Sequence, residues 1–286
     1  MNVGFIGLGI MGKPMCANLL SEGIKVFISS SKDKTNRELE ENGAVVVESQ
    51  LQVAENSDVL ITMLPNSEDV YEVIMESGLY KSLNPETIIV DMSSITPKMS
   101  MEVSDVVSPL GHQYIDAPVS GGEEKAIEGT LSIMAGGDED AFSKVKPLLE
   151  IMSGSITHMG PVGSGNATKL VNQIIVANNI ISLSEGMSVA RTLGLDLERV
   201  YNAISGGLAG SSVMDAKTHR IISGDYSPGF KMKLHMKDLN NVFESLDDND
   251  VNLPVTDKTS EIMNALLDED MQELDHGALY RYYEKD

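Results

Sequence analysis

A chain of 286 residues is long enough for one or two domains with a sizeable core. Its formal net charge of −22 sets it against phosphate backbones and anionic lipid, which argues against nucleic acid and membrane surfaces as partners. With one cysteine, Cys16, no basic and apolar leader and no apolar run of membrane-spanning length, a cytoplasmic protein is expected.

From the N-terminus, short β-rich runs alternate with amphipathic stretches. "NVGFIG" (2–7) reads as a buried strand and is followed by a helix through 15–21. Cys16 lies among apolar residues there and reads as a small core residue. Further strands are expected at "KVFIS", "AVVV", "SDVLITML", "TIIVDM", "HQYIDAP", "TLSIMAGG" and "GSITHMG", the last two around a helix at 139–152. Strands separated by helical stretches indicate βαβ units and a mostly parallel sheet, an α/β N-terminal domain. After Gly160 the period becomes helical almost throughout: 166–193, 196–204, 211–222, 231–246, 256–267 and near 277–283. The expected organisation is an α/β domain over 1–160 and an all-α domain over 161–286, with a long helix from about 164 to 193 joining them. The acids gather late, at 244–250 and 268–275, and read as solvated faces or loops.

Chemistry enters first at "GLGIMG", Gly7, Leu8, Gly9, Ile10, Met11 and Gly12, between a strand and a helix. Gly7 permits a tight turn, Gly9 lets the backbone approach a pyrophosphate, and Gly12 permits close helix–strand packing. The amides and positive dipole end of the following helix then favour phosphate, so the first domain is of the Rossmann type. At the end of the second strand an acid would read the adenine ribose. Here Ser30, Ser31 and Lys32 stand instead, with Asp33 too late, and hydroxyls beside a lysine suit a 2′-phosphate. The cofactor expectation leans to NADP(H), with NAD(H) as the alternative. "MLPNS" (63–67) and "DMSSITP" (91–97) follow strands and are placed to line the ligand crevice. Ser120, Gly121 and Gly122 offer a hydroxyl and approachable amides that could cradle a carboxylate, although an ordinary glycine turn would read the same. A helix starting near Asn166 would carry Lys169 in its first turn, with Asn172 and Gln173 at i+3 and i+4. An ammonium there, its pKa lowered by the helix end, could protonate an alkoxide; alone it would read as a wet helix end. The five histidines are scattered without metal-ligand spacing, and no metal is expected; His235 lies close to Lys237.

Together, "VGFIGLGIMGKPM", "ITMLPNS", "DMSSI", "DAPVSGGE", "GNATKLVNQIIVANNI", "GGLAGSSVMDAK", "PGFKMKLHMKDL" and "YYEK" resemble the β-hydroxyacid dehydrogenases almost end to end. The resemblance implies that Lys169 is the catalytic acid/base and that Ser120, Gly121 and Gly122 bind a substrate carboxylate. It implies dinucleotide contacts from Met63, Leu64, Pro65 and Thr96, with Lys237 and Phe230 contributing from the helical domain and Asp238 in support. Relatives often carry Asn four residues after the lysine. Here Gln173 stands at that position and Asn172 precedes it, a pattern shared by the subgroup that reduces 2-hydroxy-3-oxopropanoate (tartronate semialdehyde) to glycerate. The serine run departs from relatives that carry an acid at that strand end. The substrate implied is a small carboxylated semialdehyde or 3-hydroxy acid, and the assembly a homodimer or homotetramer. The alternatives are a 3-hydroxyisobutyrate dehydrogenase, a reductase of glyoxylate or succinic semialdehyde, or a non-catalytic dinucleotide-binding protein on the same fold.

Overall fold

The computed structural model describes residues 1–246 and 251–284, so the last four residues of the acidic run at 244–250 lie outside the described residues. The chain divides into two compact units, Met1–Lys169 and Leu170–Asp286.

The first unit runs β1 (Val3–Ile6), α1 (Gly12–Ser21), β2 (Val26–Ile28), α2 (Asp33–Glu41), β3 (Val45–Val46), α3 (Gln50–Glu55), β4 (Val59–Thr62), α4 (Ser67–Tyr71), β5 (Ile88–Asp91), α5 (Pro97–Val107) and β6 (Gln113–Asp116). It continues with β7 (Val119–Ser120), α6 (Gly122–Glu128), β8 (Leu131–Gly136), α7 (Glu139–Ile151) and β9 (Ser153–Gly160). The strands order as 3-2-1-4-5-6-8-7, with β9 beside β8. Strands 3 to 6 in that order are all parallel, and the chain reverses direction across the sheet between β1 and β4. The ligand crevice of such a doubly wound sheet opens at the carboxyl ends on either side of that switch. β1, β4 and β5 are buried along their whole length, as strands covered by helices on both faces must be. Beyond β6 the sheet is mixed: β8 runs antiparallel to β6 and β7, and parallel to β9. The two-residue β7 was not legible as an element, being too short to show a period. Cys16 is fully buried in the core with Met15, Leu19 and Phe5. Burial pushes its thiol up to about 12, so it is not a reactive thiolate.

Two boundaries differ from expectation. α1 begins at Gly12 rather than near Met15. The long helix α8 (Ser164–Thr192) has the bounds expected of the joining helix, about 164 to 193, but begins ahead of the Asn166 start that would place Lys169 in the first turn, so Lys169 lies in the second. For α8 the reason lies in partners distant in sequence, described below.

The second unit holds the remainder of α8, then α9 (Leu197–Ile204), α10 (Ser212–Ser223), α11 (Met232–Leu246) and α12 (Pro254–Leu267). The final segment, His276–Tyr283, is a 3-10 helix rather than an α-helix. Its core joins Ala177 and Ile180 of α8 to Met232 and Leu239 of α11, Met263 of α12 and Leu279. No helix among the described residues is long and apolar enough to cross a membrane.

Candidate active site

The glycine turn is built by backbone geometry. Gly7 sits at φ +96°, and a Cβ there would lie 2.2 Å from the Met63 carbonyl oxygen. A Cβ on Gly12 would lie 2.0 Å from the Gly7 carbonyl oxygen. Around Gly9, in contrast, nothing of the chain lies within 4 Å of an added Cβ. Gly7 and Gly12 are therefore required by the fold itself, whereas Gly9 faces open space where a pyrophosphate would need close backbone approach. The residues present fit a dinucleotide. Leu8 is buried, Ile10 is exposed and Met11 half-buried, so the turn's outer side chains leave its amides approachable. At the end of β2, Asn36 accepts from the Ser30 amide and donates to the Ser30 carbonyl, while the Ser30 hydroxyl accepts from the Lys32 amide. Ser31 and Lys32 are exposed.

The two loops that follow β4 and β5 are tied into one structure. The Leu64 amide donates to the Ser93 hydroxyl at 2.8 Å, and the Thr96 amide to the Ser67 hydroxyl at 3.3 Å. Behind them Asp91 is fully buried and accepts from the Thr62 hydroxyl (2.8 Å), the Tyr114 hydroxyl (3.0 Å), and both the amide and the hydroxyl of Ser93. Burial outweighs these bonds and raises the Asp91 pKa; burial and the adjacent Asp91 raise that of Tyr114. Thr96 caps α5 by accepting from the Met99 amide.

One strand further along, Asp116 ends β6. Its Oδ1 accepts from the Gly163 amide at 2.8 Å and its Oδ2 from the Asn166 amide at 2.7 Å. These are amides that the start of a helix leaves unpaired, and satisfying them moves the start of α8 forward to Ser164. Asn166 in turn accepts from the Ile95 amide (3.1 Å) and donates to the Ser100 hydroxyl (3.1 Å). Burial raises the Asp116 pKa to about 7, against the lowering effect of the Asn166 and Gly163 amides. Lys169 follows on the same helix and is only 7% exposed, which is rare for a lysine. The sequence pattern places Asp91 only at the head of a crevice-lining loop and assigns no role to Asp116 or to the side chain of Asn166. The available signal was an acid closing each of two apolar strands, "IIVD" and "YID".

Ser120 ends β7, pairing with Ser132. Gly121 (φ +147°) and Gly122 (φ +73°) both adopt backbone conformations that favour glycine. A Cβ on Gly121 would also strike Lys125 at 2.8 Å, so part of the glycine requirement here is packing.

In the helical unit, Gln173 is buried and its side-chain amide donates to Asp238, which also pairs with Lys237 at 2.9 Å. Asn172 Oδ1 is buried and has no hydrogen-bond partner among the described residues. The histidines are not all scattered: His235 and His276, 41 residues apart, meet Nδ1 to Nδ1 at 2.8 Å. His235 Nε2 contacts the Gln173 carbonyl at 3.2 Å, and a carbonyl only accepts, so Nε2 carries the proton. With His235 neutral, its Nδ1 is the acceptor and His276 Nδ1 the donor. Phe230 sets its ring against both imidazoles in tilted, edge-type contacts. The reading of 268–275 as solvated needs correction at Asp275. It is fully buried, pairs with Lys217 at 2.8 Å, and accepts from the amides of Gly229, Phe230 and Gly277. A run of acids hides the one whose partners lie far away in sequence. Among the described residues no group of three or more His, Cys, Asp or Glu is arranged to hold a metal.

The comparisons agree with this architecture. Residues 2–160 match the model of the NAD binding domain of 6-phosphogluconate dehydrogenase. Residues 163–283 match that of the NAD-binding domain of NADP-dependent 3-hydroxyisobutyrate dehydrogenase. The chain belongs to this family and is an NAD(P)-dependent enzyme of the 3-hydroxyacid dehydrogenase type. It is 44% identical to the 2-hydroxy-3-oxopropionate reductase of Escherichia coli, over 99% of this chain and 97% of that one. Its fold matches that of Mycobacterium tuberculosis 3-hydroxyisobutyrate dehydrogenase with L-serine (TM-score 0.89, 30% identity, 98% of each chain). It also matches Psf3 in complex with NADP+ and 2-OPP (TM-score 0.90, 27% identity, covering 98% of this chain and 99% of that one).

Proposed function

We propose that this enzyme reduces 2-hydroxy-3-oxopropanoate to glycerate, reversibly, with Lys169 as general acid and NADP(H) as the preferred dinucleotide. The observation that carries the reading is the buried Lys169, one turn past a helix start that Asp116 and Asn166 hold against the loop at Ile95. A lysine is kept out of water at that cost where its proton is used. A relative 44% identical to this chain is named a 2-hydroxy-3-oxopropionate reductase, which supports the substrate class.

The bound nicotinamide would supply hydride to the aldehyde carbon. Lys169 donates a proton from Nζ to the carbonyl oxygen as negative charge develops on it, giving the alcohol, and recovers a proton from solvent. In the reverse direction the same amine takes the hydroxyl proton. The Ser120 hydroxyl and the Gly121 and Gly122 amides hold the substrate carboxylate. Half-buried Ser30 and exposed Ser31 and Lys32, after β2, suit a 2′-phosphate and carry no acid to repel it.

Initial rates with a panel of small semialdehydes and 3-hydroxy acids, each with both dinucleotides, test substrate and cofactor together. The proposed aldehyde with NADPH is expected to give the highest kcat/KM; a higher value with 3-hydroxyisobutyrate would reassign the substrate. Lys169→Ala is expected to lower kcat about 10²–10⁴-fold with dinucleotide affinity unchanged. Near-normal turnover in that variant would remove the acid from Lys169.

A further inference from the structure

We propose that Asp116 is a positioning residue that holds, through the start of α8 and the side chain of Asn166, the Lys169 turn and the loop at Ile95 in one fixed relation. The inference rests on the reading of Lys169 as acid and of Thr96 and its loop as dinucleotide contacts.

Six other helix starts are capped locally. Ser49, Asn66, Thr96, Asp138, Asp196 and Ser211 each accept from an amide three residues on. At α8 the first amides bond instead to a carboxylate 47 and 50 residues away on β6. A local cap would satisfy those amides equally well but would not tie the helix to the sheet. Room is cleared for the carboxylate by glycine. A Cβ on Gly136 would lie 2.6 Å from Asp116 Oδ1, and one on Gly165 would lie 2.9 Å from Oδ2. Asn166, whose amide Asp116 holds, uses both ends of its side chain on the start of α5, at the Ile95 amide and the Ser100 hydroxyl. The path from β6 to the loop therefore runs through α8 without a gap, and Lys169 stands three residues further along the helix. Asp91 faces Asp116 from the neighbouring strand at the same register position, and its own bonds to Ser93 hold the other end of that loop.

The test is a double-mutant cycle read by dinucleotide binding on the full chain. NADPH and NADH fluorescence titrations are made on the wild type, Asp116→Asn, Asn166→Ala and the double variant. Each is repeated in Lys169→Ala, and kcat and amide hydrogen exchange at Ile95 are measured alongside. Asn at 116 offers one acceptor oxygen where the carboxylate offers two, so one amide loses its partner. Each single variant is expected to weaken binding about tenfold. The double variant is expected to be no worse than the weaker single, because both cut the same path. Ile95 exchange speeds in both, and kcat falls with the affinity. The binding losses are expected to persist in the Lys169→Ala background. Failure of the acid assignment would thus appear in the turnover of Lys169→Ala alone and leave the cycle intact. Unchanged affinity and unchanged Ile95 exchange in Asn166→Ala, or strictly additive losses in the double variant, would overturn the proposal. Should Asp116→Asn not fold, Asn166→Ala and Ser100→Ala cut the path with the carboxylate in place, and the same two readouts decide.

Discussion

Two corners of the same sheet do related work by different means. The turn after β1 is made by glycine: Gly7 and Gly12 meet the backbone oxygens of Met63 and Gly7 at distances no Cβ tolerates. The corner after β5 and β6 is made by buried side chains, Asp91, Asp116 and Asn166, which besides Ser93 bond partners 23 to 71 residues away. The first is rigid because it excludes atoms. The second is rigid because polar groups kept from water must hold their partners. The contrast teaches that a ligand-facing loop can be secured either by removing side chains or by burying charged ones, and that only the second way responds to pH.

The largest effect should come from breaking the glycine corner. Gly12→Ala forces the Gly7 carbonyl aside, and both stability (by about 1–3 kcal/mol) and dinucleotide binding should fall. Gly9→Ala meets nothing within the chain, so its melting temperature should match the wild type while binding weakens. Thermal melts with and without NADPH separate the two. Equal destabilisation by both would mean that Gly9 is only structural.

The acidic corner is tested by pH. Asp116 titrates at about 7 in the fold, far above the ordinary aspartate value, because burial disfavours its charge. The folded state therefore holds a proton that the unfolded state has already released. This group's contribution to stability is most favourable below the ordinary aspartate range, declines as pH rises towards about 7, and is flat above it. Urea midpoints across that range should fall less steeply in Asp116→Asn than in the wild type. Identical slopes would place the carboxyl in contact with water.

A smaller effect is expected at the histidine pair, the helical unit's version of a corner built from distant side chains. His276→Ala removes the donor to His235 Nδ1 and should cost about 0.5–1.5 kcal/mol in urea unfolding. His276→Asn, which can place an N–H near the same point, should cost less. Equal losses would show that ring packing against Phe230, not the proton, holds the pair.

Much was legible in advance. The strands from β1 to β6, the change to helices after Gly160 and the glycine turn all followed from local pattern. Hydrophobic period and glycine spacing act over a few residues and need no partner to be recognised. Lys169 could be named but not placed in the right turn, because the start of α8 is decided by Asp116, 48 residues before Ser164. Asp275 was hidden in an acidic run for the same reason, its cation being Lys217. The sequence by itself determined the architecture of the two units, the dinucleotide turn and the residue types available for proton transfer, since these depend on short-range sterics and periodicity. Only the tertiary structure decided which acids are buried, which histidines touch and what holds the lysine-bearing helix to the loop beside it. Such pairings depend on where distant strand ends and helix starts are brought together, and no local period records that.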